Sequence, residues 1–184
     1  GVLTVTNSHI YANRAGTGGT AANGHPNYGG EGGHGGGIFV DQTAQVTIKQ
    51  SRIDQNVAGN GTDAPSCNFP SVCTGPLRGG NGGSGGGIAI AGTASIINTV
   101  IHDNRAGHGG LHSDTWTSSG GYGGNGGGVH VTHDAIAFTQ YSTINRNYAG
   151  RALGRFASPG VGGGISGQMT VTTSIIAQNV GYAS

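Results

Sequence analysis

Gly29-Gly30-Glu31-Gly32-Gly33-His34-Gly35-Gly36-Gly37-Ile38-Phe39-Val40 decides the fold, because its pattern returns twice in the same register. The other copies are Gly79 to Gly87 running into Ile88-Ala89-Ile90, and Gly120 to Gly128 running into Val129-His130-Val131. Each is a nine-residue block, Gly-Gly-x-Gly-Gly-x-Gly-Gly-Gly, followed by a short apolar alternation. A repeat held in phase marks a stack of similar units.

Working outward, each unit closes on Asn-x-Ala-Gly: Asn13 to Gly16, Asn56 to Gly59, Asn104 to Gly107 and Asn147 to Gly150, with a degraded copy at Asn179-Val180-Gly181. An isoleucine stands three residues before each Asn (Ile10, Ile53, Ile101, Ile144, Ile176). Two residues before each isoleucine is a hydroxyl (Ser8, Ser51, Thr99, Ser142, Ser174). A further alternation precedes that: Leu3-Thr4-Val5, Val46-Thr47-Ile48, Ala94-Ser95-Ile96 and Met169-Thr170-Val171. In the fourth unit, Ile136-Ala137-Phe138 reads as displaced by one residue, through a bulge near Tyr141.

One unit is therefore three short strands of period two plus a glycine-rich arc. Such strands gain a sheet only by pairing with their counterparts one unit later. The expected fold is all-β: a right-handed parallel β-helix of about five coils, one domain over residues 1–184, with coils ~4.8 Å apart. Inward positions are Ile38, Val40, Ile48, Ile53, Ile88, Ile90, Ile96, Ile101, Val129, Val131, Ile144, Ile165, Val171 and Ile176. Asn13, Asn56, Asn104, Asn147 and Asn179 read as a structural ladder, stacked amides bonding one another and the turn backbone. The arcs read as polyproline-II-like glycine helices on one side of the rod, since two glycines in every three match three residues per turn. A flexible spacer would have no need to hold its phase three times.

The alternation of Gly-Gly-Gly-Ile/Val with Ile-x-x-Asn resembles the polymorphic outer-membrane protein repeat of bacterial surface proteins, whose hallmarks are GGA[ILV] and FxxN. It differs in having Gly for Ala and Ile for Phe. The resemblance implies a right-handed parallel β-helix. Its wider class holds adhesins, autotransporter passengers, tailspikes and polysaccharide-cleaving enzymes.

Chemistry is sparse. The 184 residues include 41 glycines, only 8% are charged, and the formal net charge is +1. No basic stripe supports nucleic-acid binding, and the single Arg78-Gly79-Gly80 carries no weight. No apolar run approaches the ~18 residues of a membrane span. No charged start with an apolar core suggests a signal peptide. Cys67 and Cys73, in an insertion at 60–78 with three prolines, read as a local disulfide of an oxidising compartment. Of the seven acids, Asp54 and Asp103 fall one residue apart in repeat register and read as solvated surface rather than a catalytic pair. His108 with His112, and His130 with His133, lack strand spacing for a metal. Thr4, Thr47, Ser95 and Thr170 form an outward column too broken for an ice-binding array. No nucleophile elbow, phosphate loop or cofactor motif is present. Asn60-Gly61-Thr62 is the lone sequon.

The sequence thus points to a non-enzymatic structural protein, extracellular or on a cell surface. It assembles with copies of itself, head-to-tail or side by side, into a fibre or layer. An adhesin fragment binding glycans is the alternative, and a polysaccharide-cleaving enzyme the third reading. The first coil starts at its second strand, which predicts that further chain or other subunits cover the ends.

Overall fold

The computed structural model describes residues 1–19, 28–64, 77–112 and 119–182. Cys67 and Cys73, with most of the 60–78 insertion, lie outside the described residues. Among the described residues fourteen strands form: β1 (Val2–Thr6), β2 (His9–Tyr11), β3 (Ile38–Val40), β4 (Gln45–Lys49), β5 (Arg52–Asp54), β6 (Ile88–Ile90), β7 (Thr93–Ile97), β8 (Val100–His102), β9 (Val129–Val131), β10 (Ile136–Gln140), β11 (Thr143–Asn145), β12 (Ile165–Ser166), β13 (Thr170–Thr172) and β14 (Ile175–Ala177). There is no helix among the described residues.

Every strand pairs in parallel with its counterpart one repeat away, giving three sheets: β3-β6-β9-β12, β1-β4-β7-β10-β13 and β2-β5-β8-β11-β14. This stacking is consistent with a β-helix-like solenoid. The alternation read from the sequence sets the register. Val46, Ala94 and Ala137 align, as do Ile48, Ile96 and Thr139. Ile10, Ile53, Ile101, Ile144 and Ile176 form one continuous column. Ile48, Ile53, Ile88, Ile90, Ile96, Ile101, Val129 and Ile144 are fully buried. Val171 and Ile176, in the outermost coil, are partly exposed.

The fourth unit corrects one expectation. β10 is not displaced: Ala137 and Thr139 keep the inward phase, and Phe138 pairs with Ser95 and Thr170 in the outward column. Tyr141 is not a bulge. It takes φ 52°, the corner conformation shared by Asn7, Gln50, Asn98 and Thr173 at the same place in the other coils. Ala12, Gln55, Asp103, Arg146 and Gln178 make a second left-handed corner after the third-sheet strands. Glycine makes the third, at Gly35, Gly85, Gly126 and Gly162.

The residue after each non-glycine corner stabilises it. Ser51, Thr99, Ser142 and Ser174 each accept a backbone N–H from the coil before, at 3.1–3.4 Å. Their hydroxyls donate to the carbonyl two residues back. The Asn ladder runs unbroken: Asn13, Asn56, Asn104 and Asn147 each donate Nδ2–H to Oδ1 of the next, at 2.9–3.0 Å. Each such Oδ1 also accepts the ladder residue's backbone N–H. Asn56, Asn104 and Asn147 donate their second proton to Ile10, Ile53 and Ile101 carbonyls. These three side chains are fully buried with both amide ends engaged, which is what burying an amide requires.

The glycine arcs are hydrogen-bonded throughout their described parts. In each arc an outgoing arm follows Asn-x-Ala-Gly, and a returning arm is the nine-residue block or its remnant. One line of bonds crosses between the arms through every coil: Gly33 donates to Gly16, Gly59 to Gly33, Gly83 to Gly59, Gly107 to Gly83, Gly124 to Gly107, Gly150 to Gly124 and Gly160 to Gly150, all at 2.8–2.9 Å. A second glycine set bonds along each arm to the next coil, as Gly61 to His108 and Gly82 to Tyr122 carbonyls, both 2.8 Å. The x positions use side chains: the N–H groups of Ser84, Tyr122 and Asn125 bond His34 Nδ1, Asn81 Oδ1 and Ser84 Oγ one coil back. Successive residues of the triplet thus bond in three different directions, and two of them leave no room for a side chain.

Candidate functional site, a polar groove beside the third sheet

Three columns of side chains run along the stack where the third sheet gives way to the outgoing glycine arms. The first is the corner residue, Ala12, Gln55 and Asp103. The second is the x of Asn-x-Ala-Gly, which bridges in parallel register: Arg14 to Val57, Val57 to Arg105, Arg105 to Tyr148 and Tyr148 to Val180. The third is the arm residue three further on, Asn60, His108 and Arg151. Ala58, Ala106 and Ala149 are buried beneath, so the x side chains have only the outside available. Between the columns is a groove of about 610 Å³ reached by Arg14, Gln55, Asn60, Asp103, Arg105 and His108.

The charges are unevenly matched. Asp103 Oδ2 accepts from His102 Nδ1 at 2.6 Å and from Arg146 Nη2 at 2.9 Å. No ion pair among the described residues engages Arg14, Arg105 or Arg151. Instead the Arg105 guanidinium lies 5.1 Å from the Tyr148 ring centre, and that of Arg151 lies 5.2 Å from Tyr182. Arg151 Nε also donates to Tyr182 Oη at 3.2 Å. His108 Nδ1 accepts the Arg151 backbone N–H at 2.9 Å, which requires an unprotonated Nδ1. Burial, then the charges of Arg151 and Arg105, lower its pKa and favour the same neutral form. Its ring proton therefore sits on Nε2.

The carboxylates singled out from sequence are separated by this geometry. Asp54 pairs in register with His102, one residue from Asp103 as the repeat register has it, but it is only 2% exposed and so is not the solvated side chain the sequence suggests. It accepts from His9 Nε2 and from Arg52 Nε. Burial raises its pKa, but the hydrogen bonds and charges of Arg52 and His9 outweigh burial and lower it overall. A low-pKa carboxylate tied to two partners is an anchor for its strand, poorly suited to proton transfer. His133 is exposed beside Asp134, and His130 lies apart on β9. Among the described residues no three His, Cys, Asp or Glu side chains gather to hold a metal. No described helix is long and apolar enough to cross a membrane.

The groove was not singled out from sequence. Its signal was the variable x of Asn-x-Ala-Gly, which reads Arg, Val, Arg, Tyr down the stack. Set against known proteins, the chain matches no family model, no curated protein and no solved structure.

Proposed function

We propose that this chain is a rigid structural module of the extracellular space or cell surface: a right-handed parallel β-helix braced by polyglycine-II-type arms, which assembles with copies of itself into a fibre or layer. The observation that carries the reading is the destination of the repeat's conserved-in-register residues. Within the described coils the Asn, Ser/Thr and glycine columns all form hydrogen bonds along the stacking axis, and few polar groups remain for chemistry. Right-handed closure follows the general preference of parallel crossovers. Three residues per turn suit the glycine arms. The likeness to outer-membrane repeats and the Cys67–Cys73 pair, read as a disulfide, favour a location outside the cytoplasm.

The outermost described strands present open edges, which copies of this chain or further coils of a longer one would cover alike. Val2 and Leu3 are 80% and 53% exposed at one end, and Ile175 is 62% exposed at the other. β1 and β13 pair on one side only among the described residues. Strand edges with apolar side chains are templates for further pairing. Negative-stain imaging and light scattering across a concentration series test this. Filaments or sheets should grow with concentration, and aligned fibres should diffract at ~4.8 Å along their axis. Isolated particles at the highest concentration would overturn the assembly reading.

A further inference from the structure

We propose that the groove beside the third sheet binds an anionic polysaccharide lying along the stacking axis. This goes beyond the structural role, which needs no ligand.

The first argument is charge. Arg14 and Arg105 border the groove and Arg151 extends it by one coil, and none has an acidic partner among the described residues. The nearby acids are already matched: Asp103 by Arg146 and His102, Asp54 by Arg52 and His9. The chain carries a formal charge of only +1, so this concentration of unpaired cations is local.

The second is preorganisation. Arg105 rests on Tyr148 and Arg151 on Tyr182, with a hydrogen bond fixing the latter. A guanidinium already held in place loses less freedom when it meets a carboxylate or sulfate. The third is the set of neutral groups between the arginines. Gln55 and Asn60 offer amides, and neutral His108 offers its Nε2–H. Uncharged donors and acceptors between sparse cations suit a polymer of hydroxyls carrying an occasional anion.

The fourth is direction. Each column places one side chain per coil, ~4.8 Å apart, so an extended polymer parallel to the axis meets Arg14, Arg105 and Arg151 in turn with neutral groups between them. Single-stranded nucleic acid fits less well. It stacks bases on open aromatic faces, whereas Tyr148 and Tyr182 each have an arginine over the ring.

The full-length chain should be retained at low ionic strength on immobilised heparin, polygalacturonate or both, and be released by salt. The two matrices separate a sulfate from a carboxylate preference, and dextran, lacking anions, should retain nothing. The triple variant R14A/R105A/R151A should bind about tenfold more weakly or worse, because three exposed cationic contacts are lost together. K49A, removing one charge elsewhere, should bind as the parent does. On the unmodified chain, a heparin fragment should slow amide exchange over residues 55–60 and 103–108. The proposal fails if neither anionic matrix retains the chain, or if a folded triple variant binds equally well. It also fails if protection falls elsewhere, or if oligo-dT displaces heparin at lower concentration.

Discussion

Thr139 occupies a position where the other coils place isoleucine or valine. It aligns with Ile48 and Ile96, is fully buried, and its Oγ1 has no hydrogen-bond partner. A buried hydroxyl without a partner costs about 1–3 kcal/mol. Thr139→Val keeps the shape and removes the hydroxyl, so it should raise the urea midpoint, stabilising by about 1 kcal/mol. A lowered midpoint would mean that the hydroxyl is satisfied. The same position shows where sequence reading failed. Seeking an apolar residue at each inward site favours Phe138 over Thr139 and invents a one-residue slip. Yet a slip would carry every side chain of β10 to the other face. The polar inward residue is tolerated because the paired backbones on both sides hold the register. The non-glycine corners were illegible for a related reason. Gln55, Tyr141 and Arg146 are not turn formers, but hydroxyl and amide ladders one residue later hold them at positive φ. The ladder residues were legible because their chemistry repeats. The third glycine of each block is explained only in three dimensions: a Cβ on Gly87 would lie 2.7 Å from the Gly128 carbonyl oxygen and 3.1 Å from the Asn104 amide. The Ala of the outer-membrane repeats would crowd this ladder.

At the scale of the element, the glycine arms depart furthest from ordinary β structure. Their period of three was legible, and so was their stacking in step with the coils. Their pairing of outgoing with returning arm was not, because the outgoing arm carries few glycines. Asn60, Thr62, His108 and Leu111 interrupt it. The bonding explains the pattern: a residue whose N–H points at the opposite arm has the backbone of its own arm, one coil back, where its Cβ would be. A Cβ on Gly107 would fall 1.8 Å from the Gly59 carbonyl oxygen and 2.9 Å from the Gly83 nitrogen. Gly16 holds the same place in its Asn-x-Ala-Gly, and a Cβ there meets nothing within 4 Å. Gly107→Ala should therefore destabilise by about 3 kcal/mol or more, because rigid backbone must move on two sides. Gly16→Ala should change stability by no more than about 0.5 kcal/mol. Thermal melts of the two variants make the comparison. Equal effects would show that the arms contribute little to folding and that glycine serves only to keep them narrow.

Across the whole molecule, each coil touches only its neighbours, so stability accumulates along the stack rather than around one centre. Central coils have a partner above and below. β7 and β8 pair on both sides, and the Asn104 amide between them and the arm is locked by Asn56, Asn147 and the Ile53 carbonyl. The outermost strands have fewer restraints: β13 and β14 are exposed along their length, and β1 nearly so. Local opening should therefore begin at the ends and move inward. Native-state hydrogen exchange read residue by residue should show graded protection, highest in β7, β8 and Gly107, falling through β4 and β10, and lowest in β1 and β14. The glycine arms should follow the strands of their own coil, because Gly83, Gly107 and Gly124 share one line of bonds with neighbours on either side. If the arms exchange fast while the adjacent strands stay protected, they are an independent layer, and bracing by glycine is the wrong account of this rod. If all amides exchange at one rate, the stack opens only as a single unit. Conditions that assemble the chain should then sharpen the test: covering the ends with copies must raise protection in β1 and β14 while leaving β7 and β8 nearly unchanged.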